Sequence, residues 1–265
     1  MGILNLTPDS FSDGGKYNAL DSAYVQALKM IEQGADVIDI GAESSRPGAQ
    51  AVSIAEEIER ITPILKKIRQ GSDICISIDT YKPEVMEVAL DLGVDIINDV
   101  FALKQKGAVE LLKQYDVPIC LMHQNEQHLE KKPSLWQEDV DVWPTMLEFF
   151  EERLGFLEES GLARERLILD PGFGFGKVCQ DNLKLINKID KLAIFGLPIL
   201  IGASRKTFIG KVLDKTIDER IFGGSAITAY TFMHGVNIHR THDVLATKET
   251  LLMLKAILEQ DMNND

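Results

Sequence analysis

Short apolar runs rich in β-branched residues recur along the chain, each followed by a stretch with helical spacing. The runs are GILN (2–5), DVIDIG (36–41), ICISID (74–79), DIIND (95–99), VPICLMH (117–123), RLILD (166–170), LPILIGAS (197–204) and VNIHRTHD (236–243). They do not alternate cleanly between apolar and polar, as a strand with one wet face would, so they read as strands buried on both faces of a parallel sheet. Between them, ALDSAYVQALKMIEQG (19–34) places Ala23, Ala27 and Ile31 on one helical face with Leu20 and Met30 beside it, and Gly34 suits the C-terminal stop. SIAEEIERITPILKKIRQG (53–71) opens with Ser53 and Glu56 at capping-box spacing and closes basic before a glycine. DERIFGGSAITAYTFMHG (218–235) is apolar over much of its surface and carries small residues, which suits packing against the sheet.

Eight strand–helix pairs in 265 residues predict an α/β fold, a (β/α)8 barrel forming one domain over residues 1–265. A doubly wound open sheet is the competing arrangement. No linker, low-complexity segment or second domain interrupts the alternation. QNEQHLEKKPSLWQEDVD (124–141) reads as a long polar loop after the fifth strand.

Composition narrows the function. With 45% apolar residues the chain can fill one large core, and a net charge of −13 argues against a nucleic-acid partner. A small anionic substrate stays possible, since it responds to local charge. Cys75, Cys120 and Cys179 are odd in number and lack metal-like or redox-like spacing. They read as free thiols in a reducing compartment, with Cys75 and Cys120 buried in their apolar runs. No apolar stretch reaches membrane-spanning length and MGILNLTPDS is no signal peptide, so a cytoplasmic location is expected.

Barrel enzymes place their chemistry at the carboxyl ends of the strands. Here Asn5 closes the first run, Asp39 lies in the second with GAESSRPG after it, Asp79 and Asn98 close the third and fourth, and His123 ends the fifth. Asp170 closes the sixth, SRK (204–206) ends the seventh, and Arg240 and His242 lie in the eighth. Any one of these could cap a helix, but a ring of polar residues emerging from apolar strands needs partners. Asp79, Asn98 and Asp170 suit a ligand edge rich in N–H groups, such as a pterin's amino-pyrimidinone. Arg46, Arg205, Lys206, Arg240 and His242 form a positive set suited to phosphate or pyrophosphate. Asn5 offers a neutral oxygen to Mg2+, which otherwise keeps waters and phosphate oxygens.

The glycine-rich stretch DPGFGFGK (170–177) matches neither nucleotide-binding loop. The triphosphate loop needs four residues before its Gly-Lys and a hydroxyl after it, and the dinucleotide fingerprint needs G-x-G-x-x-G.

Taken together, MGILNLTPDSFSDGG (1–15), ESSRPG (43–48), SIDTYKPEV (77–85), IINDV (96–100), LDPGFGFGK (169–177), GASRK (202–206) and RTHDV (240–244) resemble the dihydropteroate synthase family, in order and over nearly the whole chain. The resemblance implies a homodimeric enzyme of folate synthesis and a sulfonamide target. It would join 6-hydroxymethyl-7,8-dihydropterin pyrophosphate to p-aminobenzoate with Mg2+, giving 7,8-dihydropteroate and pyrophosphate. It implies Asn5 as Mg2+ ligand, Asp79, Asn98, Asp170 and Lys206 around the pterin with Met122 packing nearby, and Asp39 in support. Arg240 would stack on the pterin and reach the pyrophosphate together with His242 and Asn5. Ser45 and Arg46 would belong to a loop closing over both substrates, with Phe175, Gly202, Ser204 and Lys206 beside p-aminobenzoate. Asp79, Arg46 and Lys206 would carry the catalysis.

Three features depart from the family pattern. Ser45 replaces the usual threonine, QNEQ follows strand five in place of Met-x-Gly, and the chain begins inside the first strand motif, which puts the stability of that strand in question. A corrinoid-linked methyltransferase would use the same pterin residues but not TPDSFSDGG, SSRPG or SRK. A binding-only paralogue should have lost some of Asn5, Arg46, Lys206, Arg240 and His242, all of which are present.

Overall fold

The computed structural model describes residues 1–6, 15–43, 51–124 and 141–262. Six parallel strands form a continuous sheet in chain order: β1 (Gly2–Asn5), β2 (Val37–Gly41), β3 (Cys75–Asp79), β4 (Ile96–Asp99), β5 (Ile119–Met122) and β6 (Leu167–Asp170). β7 (Leu200–Ile201) and β8 (Ile238–His239) pair with each other. Parallel bridges Leu169–Ile199 and Gly2–Thr241 join that pair to both edges of the larger sheet. The sheet is thereby closed into the expected barrel, and the open doubly wound alternative falls. β1 is held from both sides, by β2 in register and by the Ile3 N–H, which donates to the Thr241 carbonyl over 3.0 Å.

The last two strands are shorter than their apolar runs, 197–204 and 236–243. Pro198 has no N–H to give a ladder, and the chain leaves the sheet after Ile201, turning through Arg205 at φ 58°.

The helices are α1 (Gly15–Glu32), α2 (Ile54–Gly71), α3 (Pro83–Asp91), α4 (Ala108–Leu112), α5 (Val142–Glu159), α6 (Cys179–Asn187), α7 (Thr207–Leu213), α8 (Ile221–Met233) and α9 (Val244–Met262). The Glu56 N–H donates to the Ser53 side chain at the start of α2 (3.3 Å), but the Glu56 carboxylate turns to Arg60 (2.5 Å), so half of the predicted capping box forms. None of the described helices is long and apolar enough to cross a membrane.

Strand residues alternate between two environments. Ile38, Ile40, Ile76, Ile78, Ile97, Ile119, Leu121, Leu167 and Leu169 join the helices in one large core. Their neighbours point into the barrel, where Cys120, Ile168 and Leu200 form a second small cluster. Cys120 is a buried free thiol whose pKa burial pushes well up, whereas Cys75, expected buried, is half-exposed.

Candidate active site

Register decides which polar residues share the mouth. Asn5 pairs with Gly41, Gly41 with Asp79, Asp79 with Asn98, and Asn98 with Cys120, so these residues lie on one inward row. Met122 and Asp170 pair further up on β5 and β6. Gly41 makes room: a Cβ there would lie 3.4 Å from the Asp79 Cβ.

A charged knot joins this row to Asp39, two residues below Gly41 on β2 and paired with Ile3 and Ser77. Asp39 is fully buried, and Arg240 donates from Nε to its Oδ2 (2.6 Å) and from Nη2 to Asp79 Oδ2 (2.7 Å). The Asn98 amide lies 3.4 Å from both Asp39 oxygens. Burial pushes the Asp79 carboxyl up, to about 7, while Arg240 pulls it down. The guanidinium itself is held above its ordinary value: burial lowers it, but Asp39 and Asp79 more than compensate. Two of five guanidinium N–H groups are used here, leaving others for an anion.

The glycine loop answers the question its sequence raised. Asp170 is buried and accepts the Gly172 N–H (2.7 Å); burial raises its pKa. Lys206 donates to the Phe173 carbonyl and its ammonium lies 4.3 Å from the centre of the Phe175 ring. Burial lowers the Lys206 pKa to about 8, with Asp170 raising it. The glycines take left-handed conformations at Gly172, Gly174 and Gly176 (φ 65°, 84° and 64°). The loop thus presents a carboxylate and an aromatic wall beside the Lys206 ammonium, in place of a nest for a nucleotide.

On the far side, Ser204 Oγ accepts the His242 N–H (3.1 Å) and lies 3.2 Å from His242 Nδ1. The Gly202 backbone lies beside Arg240, whose Cδ would be 4.0 Å from a Cβ at that position. Met122 is buried against Gly172. Asn5 ends β1 exposed at the same mouth.

Two members of the sequence-derived ring are used otherwise. Arg205 does not join the anion cluster: it pairs with Asp243 through Nη2 (2.6 Å) and Nε (3.1 Å) and with Asp218 (3.5 Å). Its left-handed backbone, whose carbonyl accepts from Arg220 Nη1, turns it toward the start of α9. His123 is buried and packs edge-on against Phe149 with centroids 5.1 Å apart; burial keeps it neutral, its pKa lowered to about 2. It is a core residue. Ser45 and Arg46 lie outside the described residues.

Sequence reasoning missed two lysines. Lys82, just after β3, donates to Glu43, to Glu57 (2.6 Å) and to the Val52 carbonyl (2.6 Å), and Glu43 also accepts the Tyr81 hydroxyl (3.0 Å). Lys177, at the end of the glycine loop, is buried with its ammonium on three carbonyls. A lysine beside a proline or a glycine run reads as solvated, and no local pattern in the sequence marked either as buried.

The chain's relatives carry the same assignment. Residues 1–242 match the family described as "Pterin binding enzyme". The dihydropteroate synthase of Escherichia coli strain K12 is 42% identical over 99% of this chain and 93% of its own length. A Xanthomonas albilineans dihydropteroate synthase solved with 4-aminobenzoic acid superposes with a TM-score of 0.90 at 39% identity, covering 97% of this chain and 92% of that one. A Clostridium difficile dihydropteroate synthase solved in the presence of pteroic acid gives 0.89 at 42% identity, covering 97% and 95%. With its barrel closed, its polar residues gathered at one mouth and a match along nearly its whole length, this chain belongs to the pterin-binding enzyme family.

Proposed function

We propose that the chain is a dihydropteroate synthase, condensing 6-hydroxymethyl-7,8-dihydropterin pyrophosphate with p-aminobenzoate in folate biosynthesis. The observation that carries this reading is the division of one barrel mouth into two chemistries. Half-buried Asp79 and buried Asn98 and Asp170 offer acceptors and an amide to a pterin edge, while Arg240, His242 and Lys206 stand beside them for the leaving group and the arylamine.

The reaction suits a substitution of SN1 character. The bond between the pterin methylene and the pyrophosphate oxygen breaks, and the electron pair leaves with pyrophosphate. Arg240, with N–H groups beyond those on Asp39 and Asp79, and His242 take the growing negative charge. The cation left on the methylene is delocalised into the dihydropterin, and Asp79 stabilises it electrostatically. The arylamine nitrogen then attacks and loses a proton. Phe175, half-buried beside Lys206, helps keep water from capturing the cation. Ser45 and Arg46 are read as residues of the loop closing over this site. No enzyme nucleophile is required, which fits the inert, buried Cys120.

Mg2+ fits the residues only as a substrate-borne ion. Among the described residues no group of three or more His, Cys, Asp or Glu side chains could hold a metal, and Asn5 supplies one exposed hard oxygen at the mouth. Mg2+ usually keeps several waters and shares phosphate oxygens, so Asn5 would be its protein ligand and its charge would offset that of the pyrophosphate.

The assay supplies both substrates with Mg2+ and follows dihydropteroate and pyrophosphate together. Equal release of both is expected, lost in Asp79→Ala and Lys206→Ala and suppressed by EDTA. Pterin binding without either product would overturn the reading in favour of a binding-only paralogue.

We also read the protein as a homodimer. Phe222 and Met233 on α8 and Leu252, Met253 and Ile257 on α9 are more than half exposed, a clustering of large apolar side chains unusual on a monomer. Light scattering should give twice the chain mass, and Phe222→Asp should give a monomer. A wild-type mass equal to one chain would refute it.

A further inference from the structure

Lys177 is among the buried charges that the chemistry proposed above leaves unused. Lys177 follows the last glycine of the loop and is 4% exposed. Its ammonium donates to the carbonyls of Gly172 (2.8 Å), His123 (3.0 Å) and Phe175 (3.1 Å). An ammonium has three donors and no acceptor, so its capacity is filled by backbone and none remains for a ligand. Two of these carbonyls belong to the loop and the third to the residue after β5. Lys177 therefore ties both ends of the glycine turn to the neighbouring strand.

The rest of the turn is braced from the other side. Asn182 on α6, itself buried, accepts the Gly174 N–H (2.7 Å) and donates to the Val178 carbonyl (2.7 Å). Between these two anchors Gly174 is exposed and Phe175 half-buried. Phe175 stands by the Lys206 ammonium, and the Phe173 carbonyl receives that ammonium. A neutral side chain could not replace Lys177, since three carbonyl oxygens converge on one point and need a donor each. Any of them left without a donor would be a buried, unpaired acceptor.

We propose that Lys177 is a positioning residue for the arylamine half of the reaction, holding the 172–176 turn in the shape that sets Phe175 against Lys206. It touches no substrate. The inference rests on the dihydropteroate synthase reading, because it assigns Phe175 and Lys206 to the p-aminobenzoate side.

The test compares Lys177→Met and Lys177→Gln in the full chain with the unsubstituted protein. The methionine removes all donors, whereas the glutamine keeps two. Steady-state kinetics give KM for p-aminobenzoate and kcat, and calorimetry gives the affinity for 6-hydroxymethylpterin. KM for p-aminobenzoate is expected to rise about ten-fold or more in Lys177→Met and less in Lys177→Gln, with pterin affinity held within about two-fold. A role confined to stability would lower Tm in both variants and leave KM where it was. An unchanged KM in a folded variant, or equal loss of pterin and p-aminobenzoate affinity, overturns the proposal. If neither variant folds, the lysine ammonium resonance of the unsubstituted protein decides. It should be protected from exchange and shift when p-aminobenzoate joins bound pterin, and a signal that does not move refutes the role. An unsubstituted protein that makes no dihydropteroate would instead refute the functional reading, a separable result.

Discussion

Replacing Arg240 by methionine should cost about 3–5 kcal/mol of stability at pH 8 and abolish dihydropteroate formation. The side chain is the cation between two carboxylates, 2.6 Å from Asp39 and 2.7 Å from Asp79. Methionine leaves both without it, and Asp39, fully buried, has no water to take its place. The pH dependence has a definite sign. Burial holds the Asp79 carboxyl at about 7 even with Arg240 pulling it down, so without Arg240 it moves higher. A carboxyl whose folded pKa exceeds its unfolded value keeps its proton in the folded state, and folding is disfavoured as pH rises through the interval. Below about 7 Asp79 is protonated in both proteins and adds little to the difference; above it, the variant alone bears the cost of holding the proton. Urea unfolding at pH 6 and pH 8 should therefore show the larger deficit at the higher pH. A deficit independent of pH would show that the guanidinium acts by packing and not by balancing charge.

The second large effect concerns Gly172. Its φ is 65°, and a Cβ there would lie 2.1 Å from the His123 carbonyl oxygen, an overlap with backbone that no side-chain movement relieves. That backbone is fixed by the His123 N–H on the Asp170 carbonyl (2.9 Å) and by the Lys177 ammonium. Gly172→Ala should lose about 3 kcal/mol or more, because the left-handed conformation alone costs about 1–2 kcal/mol and the overlap adds to it. The Gly172 N–H on Asp170 would shift with the turn, so turnover should fall in whatever protein still folds. Gly107→Ala is the control. Gly107 is also left-handed (φ 92°) but a Cβ there meets nothing within 4 Å, so about 1 kcal/mol is expected. Equal midpoints for the two variants in urea would mean that conformation alone, and not contact with His123, sets the requirement for glycine.

Much of the architecture could be read from the chain. Burial of a strand on two faces leaves apolar runs, and a helix packed on one face leaves a stripe, so the order of elements is written locally. A polar residue ending such a run, as with Asp79, Asn98 and Asp170, declares itself for the same reason: an apolar strand has no other use for it. The motifs around these residues carry the resemblance to the family.

Partnership was not written locally. Asp39 and Arg240 are 201 positions apart and meet because β8 closes on β1 through Thr241. Arg205 and Arg240 follow neighbouring strands and look alike in sequence, yet a left-handed backbone sends the first to Asp243 while the second turns inward. His123 ends a strand as the others do but faces Phe149, where desolvation removes its charge. Lys82 and Lys177 are buried only because carboxylates and carbonyls from separate segments converge on them. The sequence by itself determined which elements form, which faces they bury and which chemical groups reach the strand ends. The tertiary structure decided which of those groups meet, because an ion pair or a carbonyl cage depends on distances set by barrel closure, and no local period encodes them.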